Sequence, residues 1–192
     1  RGGKSLGINH GTPYYPVVDP VWRYIDFDIY YVFGEDIYKK YYADRWPKQV
    51  QIVSIGSFGM TRERFQTLQK SEPSKDIAVF VKAFVDDCEP DWTIQIAFDL
   101  SNAFPDRTIF LKPKSHKTNL MDLELMKYTL NNTPDNIELF EGSAYDVFTR
   151  ARYCVSTPST IILEAVHFNL NCFCYDVLPR STPLQFREYP NL

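Results

Sequence analysis

The stretch Tyr153-Cys154-Val155-Ser156-Thr157-Pro158-Ser159-Thr160-Ile161-Ile162-Leu163-Glu164-Ala165 reads as three pieces in series. A buried apolar strand comes first, then a polar turn of small residues, then a helix with a carboxylate one turn in. The first N–H groups of a helix have no partner within it, and the helix dipole is positive there. Hydroxyls and N–H groups gathered at such a turn therefore form an anion site. Glu164 stands four residues after Thr160 on the same face, where a carboxylate can take sugar hydroxyls beside a bound phosphate. Together these parts point to a site for a nucleotide-sugar or nucleotide-polyol.

Working outward, the chain alternates between two periodicities. Strands are expected at 50–55, 77–84, 108–112, 136–140, 153–156 and 171–175, and helices at 61–70, 90–103, 119–131, 144–151 and 159–168. Runs rich in Val, Ile and Phe alternating with helical patterns imply βαβ units, hence an α/β fold with a Rossmann-like parallel sheet flanked by helices. Such sheets bind ligands at the carboxyl ends of their strands. Earlier in the chain, the apolar run at 5–9 ends in His10-Gly11-Thr12-Pro13. Ile29 to Phe33 reads as a strand closed by Gly34, and Glu35 to Tyr42 as a short helix ended by Trp46-Pro47. From Leu178 the chain carries three prolines and reads as an extended tail.

Composition bounds the function. The chain has 192 residues, enough for one full domain and part of a second, and 44% are hydrophobic, ordinary for a globular protein. A net charge of −3 excludes bulk electrostatic binding of nucleic acid. No apolar run approaches the roughly 20 residues needed to cross a bilayer. Cys88, Cys154, Cys172 and Cys174 have no metal spacing and read as free thiols of a reducing compartment. The opening Arg1-Gly2-Gly3, without Met, reads as an excised piece of a larger protein.

Four further groups of residues bear on chemistry. In Gly56-Ser57-Phe58-Gly59 the glycines let backbone approach a ligand and Ser57 adds a hydroxyl; the other reading is an ordinary strand-to-helix turn. Lys112-Pro113-Lys114-Ser115-His116-Lys117 places cations suited to phosphate at the end of a strand, or else forms a solvated basic loop. His10 is either a general base for a hydroxyl nucleophile or a turn histidine satisfying backbone. Glu164, among Ile161, Ile162, Leu163 and Ala165, is costly unless paired, and the preceding turn favours a polar ligand as its partner. His167 reads as structural, and Asp176 as a weaker candidate at the same sheet edge. Asp26 and Asp28 lack the further acids a metal site would need.

The order strand, Ser-Thr-Pro-Ser-Thr, Ile-Ile-Leu-Glu-Ala, then a strand ending in Tyr175-Asp176 resembles the donor-binding, C-terminal half of GT-B glycosyltransferases. The resemblance implies that Ser156, Thr157, Ser159 and Thr160 lie near donor phosphates and Glu164 near the ribose, with Gly56, Ser57 and Gly59 facing the same diphosphate. It also implies chemistry without a bound metal, the only cofactor-like molecule being the nucleotide-activated sugar itself. His10-Gly11-Thr12-Pro13 is similar to the His-Gly-Thr-Pro segment of CDP-glycerol and related polyol-phosphate polymerases, which implies that His10 acts on the acceptor hydroxyl. Lys112-Pro113 followed by His116 is similar to the Lys-Pro-His-Pro loop of capsule glycosyltransferases and bacterial sialyltransferases, where the histidine contacts donor phosphate, although here Lys114 and Ser115 intervene and no proline follows His116. The polyol-phosphate enzymes usually carry Thr-Asp-Tyr-Ser-Ser in the key turn. The absence of that Asp here favours sugar transfer.

The expectation is thus a glycosyltransferase piece: residues 1–45 the end of an acceptor domain and linker, 46–177 the donor-binding domain, and 178–192 a tail. It would move a sugar from a nucleotide donor to a surface polysaccharide or lipid-linked glycan in the cytoplasm, at the inner face of the membrane. Its partners would be the donor, the acceptor and the rest of its own N-terminal domain. A CDP-polyol phosphotransferase of teichoic-acid or capsule type, and a non-catalytic domain binding nucleotide or a partner protein, are the alternatives.

Overall fold

The computed structural model describes residues 2–8, 25–56, 60–68, 74–81, 90–113, 134–157 and 159–175. They fall into two compact units, the first drawn from Arg1–Arg62 and the second from Glu63–Leu178. Each unit has its own parallel sheet.

The first unit holds β1 (Leu6–Ile8), β2 (Ile29–Val32), α1 (Glu35–Tyr41) and β3 (Gln51–Ser54), with sheet order β1-β2-β3. In β2 Tyr30 and Val32 are buried while Ile29 and Tyr31 are only partly so, the alternation a pleated strand imposes. Tyr30 and Val32 pack with Ile25, Tyr42, Trp46 and Val50. Trp46 organises this cluster: its ring stacks on Tyr42 at 4.2 Å and meets the Tyr30 ring edge-on at 4.9 Å. Asp28 ties β1 to β2, accepting from Ser5 N at 2.7 Å and from Ser5 Oγ at 2.9 Å. Those bonds, the backbone one first, hold the Asp28 carboxyl below its ordinary range.

β3 belongs to this sheet. Ser54 pairs with Val32 and Ile52 with Tyr30, so the strand after Trp46 extends the first sheet instead of opening the second. The division between units falls at the start of α2 (Arg62–Leu68).

The second unit holds β4 (Asp76–Val81), α3 (Pro90–Ala103), β5 (Ile109–Pro113), β6 (Ile137–Leu139), α4 (Ala144–Phe148), β7 (Ala151–Ser156), α5 (Thr160–His167) and β8 (Asn171–Cys174). The sheet order is β6-β5-β4-β7-β8, and every pairing is parallel. This is the Rossmann-like α/β arrangement expected from the alternation of patterns. Burial follows position: five of the six residues of central β4 are buried, whereas the edge strands β6 and β8 have none.

The two sheet faces are packed separately. Ile77, Val79, Ile109, Leu111 and Val155 bury against Ala97 of α3. Ala78, Phe80, Phe110 and Cys154 bury on the opposite face with Val147 and Phe148 of α4 and Ala165 of α5. Helix ends are closed locally. Pro90 opens α3, where a missing N–H costs nothing, and Asn136 Nδ2 donates to the carbonyls of Phe104 and Arg107 just past its end. Ser143 and Asp146 form a reciprocal capping box on α4.

Two element ends differ from expectation. α4 stops at Phe148 instead of running to 151, because Ala151 is already in β7, paired with Asp76. α5 begins at Thr160 because Ser159 is its cap. The expected helix at 119–131, the tail from Leu178 and residues 82–89 lie outside the described residues. None of the described helices is long and apolar enough to cross a membrane.

The Phe110 ring meets Phe140 edge-on at 5.7 Å and carries the Arg150 guanidinium at 4.6 Å. Phe110→Ala should remove about 3–5 kcal/mol, seen as a lower midpoint of denaturant unfolding for the second unit. An unchanged midpoint would contradict this account of the core.

Candidate functional site

In the second sheet, β5 and β6 lie on one side of β4, and β7 and β8 on the other. Successive connections from the first strand therefore turn in opposite directions, and the crevice between the carboxyl ends of β4 and β7 is the topological switch point, where open parallel sheets take ligands. The turn from Ser156 to Thr160 leaves β7 at that crevice.

Register fixes which side chains meet there. Phe80 of β4 pairs with Lys112 of β5 on one side and with Ser156 of β7 on the other. All three belong to the face shared by Ala78, Phe110 and Cys154, since alternate residues of a strand point the same way. With strands about 4.8 Å apart, the Lys112 and Ser156 backbones stand roughly 10 Å from each other across Phe80.

Both polar members of this row are buried: Lys112 is 3% exposed and Ser156 2%. Lys112 Nζ donates to the carbonyl of Pro113 at 2.7 Å, its one hydrogen bond among the described residues. An ammonium carries three donors, so two remain. Burial pushes its pKa below the ordinary lysine value. The Ser156 carbonyl accepts from Tyr175 N at 3.1 Å. A buried lysine and a buried serine, on the strands either side of Phe80, offer a cation and a hydroxyl to an anion.

The turn adds the helix terminus. Ser159 has extended backbone and its hydroxyl accepts from Ile161 N at 3.5 Å, so the residue expected to touch phosphate is first the cap of α5. Thr157 is half-buried in the turn and Thr160 opens the helix. Ile162 and Ala165 face the core, which leaves Glu164 half-buried at the margin of the apolar face. Burial raises its pKa, and Tyr145 on α4 and the His167 charge partly offset that.

Several expected residues lie elsewhere. Gly56 ends β3 of the other sheet, with φ +70°, a left-handed conformation that favours glycine. It is therefore not on the sheet edge that carries Ser156, as the expected strand order required; the first strand of that sheet is β4. His10, Ser57, Gly59 and His116 lie outside the described residues, as does Asp176. Cys154 and Cys172 are free thiols, and His167 is exposed. Among the described residues no group of three or more His, Cys, Asp or Glu side chains is placed to hold a metal ion.

No family model and no curated protein matches the chain. Among solved structures it is similar to the pneumococcal O-GlcNAc transferase GtfA in complex with UDP and GlcNAc, at 14% identity and a TM-score of 0.46, over 90% of this chain and 37% of that one. It is also similar to the GtfA/B complex, at 15% identity and a TM-score of 0.48, over 91% of this chain and 38% of that one. The chain thus spans well under half the length of these proteins.

Lys112 gives a pH prediction. Its folded pKa lies below its unfolded one, so the unfolded chain binds the proton more tightly and stability rises as pH climbs through that window. Lys112→Met should stabilise the second unit by about 1–3 kcal/mol at neutral pH, with the gain shrinking as the medium becomes alkaline. Thermal unfolding from pH 7 to 10 checks both the sign and the trend.

Proposed function

We propose that the second unit binds the diphosphate of a nucleotide-activated sugar, and that the chain is part of a GT-B-type glycosyltransferase acting on a surface polysaccharide or glycolipid. The observation that carries this reading is the buried Lys112–Phe80–Ser156 row at the switch point, beside the N-terminus of α5. When the sugar leaves a nucleotide donor, negative charge builds on the departing phosphate. A fixed ammonium, a hydroxyl and a helix N-terminus in a water-poor site stabilise that charge without reorganising. Glu164, one turn along α5, takes the ribose hydroxyls. The proposal assigns His10 to the acceptor hydroxyl and His116 to the donor phosphate, on the motifs that contain them. A nucleotide donor of this kind places the reaction in the cytoplasm, at the inner face of the membrane.

The segment His10-Gly11-Thr12-Pro13 favours a second reading, CDP-polyol phosphate transfer on the same fold. Products separate the two: CMP released from CDP-glycerol or CDP-ribitol supports polyol transfer, and nucleoside diphosphate released from a sugar donor supports sugar transfer.

Titration calorimetry with CMP and with CDP, UDP and GDP tests the site itself. The chain should bind at least one of them. Lys112→Met and Ser156→Ala should each weaken that binding about tenfold while leaving the fold intact. Absence of binding to all four, or unchanged affinity in both variants, would remove the donor-site reading.

A further inference from the structure

We propose that Cys154 and Cys172 form a thiol pair that a small disulfide, such as oxidised glutathione, closes into a disulfide bond between β7 and β8. The pair neither uses nor requires the nucleotide site.

Strand pairing supplies the geometry. Cys154 stands directly opposite Cys172 in the parallel register of β7 with β8. Residues opposed in this way have Cα atoms about 4.8 Å apart and side chains on one face, inside the ~4.4–6.8 Å window that a disulfide needs. The packing agrees: Cys154 is a buried member of the core under α4 and α5, and Cys172 packs against that same core. Cys172 Sγ lies 3.5 Å from the Leu170 carbonyl and 3.7 Å from the Ile162 carbonyl, which puts the sulfur on the face that α5 covers. Cys174 is one pair further along, opposite Ser156. By the same spacings its Cα stands roughly 8 Å from that of Cys154, too far to be bridged. Register therefore selects Cys172 as the partner.

Exposure sets the order of events. Cys154 is buried, whereas Cys172 lies half-buried on an edge strand, so a small disulfide reaches Cys172 first. The thiols are unequal in the same sense: Cys172 and burial push the Cys154 pKa up, while Cys154 draws that of Cys172 down. The Cys172 thiolate attacks one sulfur of oxidised glutathione, forming a mixed disulfide and releasing the first glutathione. Cys154 then attacks the Cys172 sulfur, and the second glutathione leaves. Two protein thiols are oxidised, one small disulfide is reduced, and both thiol protons end on the released glutathiones. The new bond encloses the Ser156–Thr160 turn and α5 in one covalent loop.

The test incubates the folded chain with oxidised glutathione and maps its disulfides by mass spectrometry. Cleavage after Arg152, Glu164 and Arg180 puts Cys154 on one peptide and Cys172 with Cys174 on the next. The native chain should show these two peptides joined, with two hydrogens lost, and dithiothreitol should separate them. Cys174→Ser should keep the link, which assigns it to Cys172. Cys154→Ala should lose the link and trap one glutathione on Cys172, and Cys172→Ala should leave Cys154 unmodified. In denaturant the links should scatter over all four cysteines, Cys88 included. Three results in the native wild type would each overturn the pair: Cys172 joined to Cys174, glutathione retained on Cys172, or both thiols left unreacted.

Discussion

The parallel pairing of β4 with β7 is the constraint on which the second unit depends. It runs from Ile77 and Tyr153 to Phe80 and Ser156, with an irregularity at Asp76. At the start of β4, Asp76 accepts from Thr108 N at 2.8 Å and Ser74 donates to the Arg150 carbonyl, which anchors the neighbouring strands. Because β5 and β6 lie on one side of this pair and β8 on the other, the reversal of direction has to occur here. A slip of one residue would turn Ser156 and Phe80 to opposite faces and separate the polar row. Register therefore does more than order the sheet: it places a hydroxyl, an aromatic ring and an ammonium in line at one crevice.

That placement has a cost. Lys112 is buried beside the central strands, its ammonium bonded among the described residues to the Pro113 carbonyl, and burial disfavours its charged form. Glu164 shows the same tension more mildly, since burial raises its pKa while Tyr145 and His167 draw it back. Its folded pKa lies above the unfolded one, so its contribution to stability falls as pH rises through that interval. Two charged groups of opposite sign are thus held under partial desolvation at the same end of the sheet. Sites arranged this way give up some stability for readiness to bind.

Much of the fold was legible from periodicity. The apolar runs at 77, 108, 153 and 171 are strands because β-branched and aromatic residues there bury on one or both faces, and no local signal competes with them. The turn from Ser156 to Thr160 was legible too, since Ser159 is a strong cap and the apolar run after it has helical spacing. What sequence could not supply was strand partnership. Residues 50–55 read as a strand, and they are one, but a strand pattern does not say which sheet it joins. Its pairing with β2 puts it in the first sheet.

The central claim is that a nucleotide diphosphate sits at the crevice between β4 and β7. A crystal structure of the chain soaked with CMP, CDP, UDP and GDP tests it most directly. The account predicts phosphate oxygens within hydrogen-bonding distance of Lys112 Nζ and Ser156 Oγ, with the ribose diol at Glu164. Nucleotide bound away from that crevice, with Lys112 still bonded only to Pro113, would contradict it.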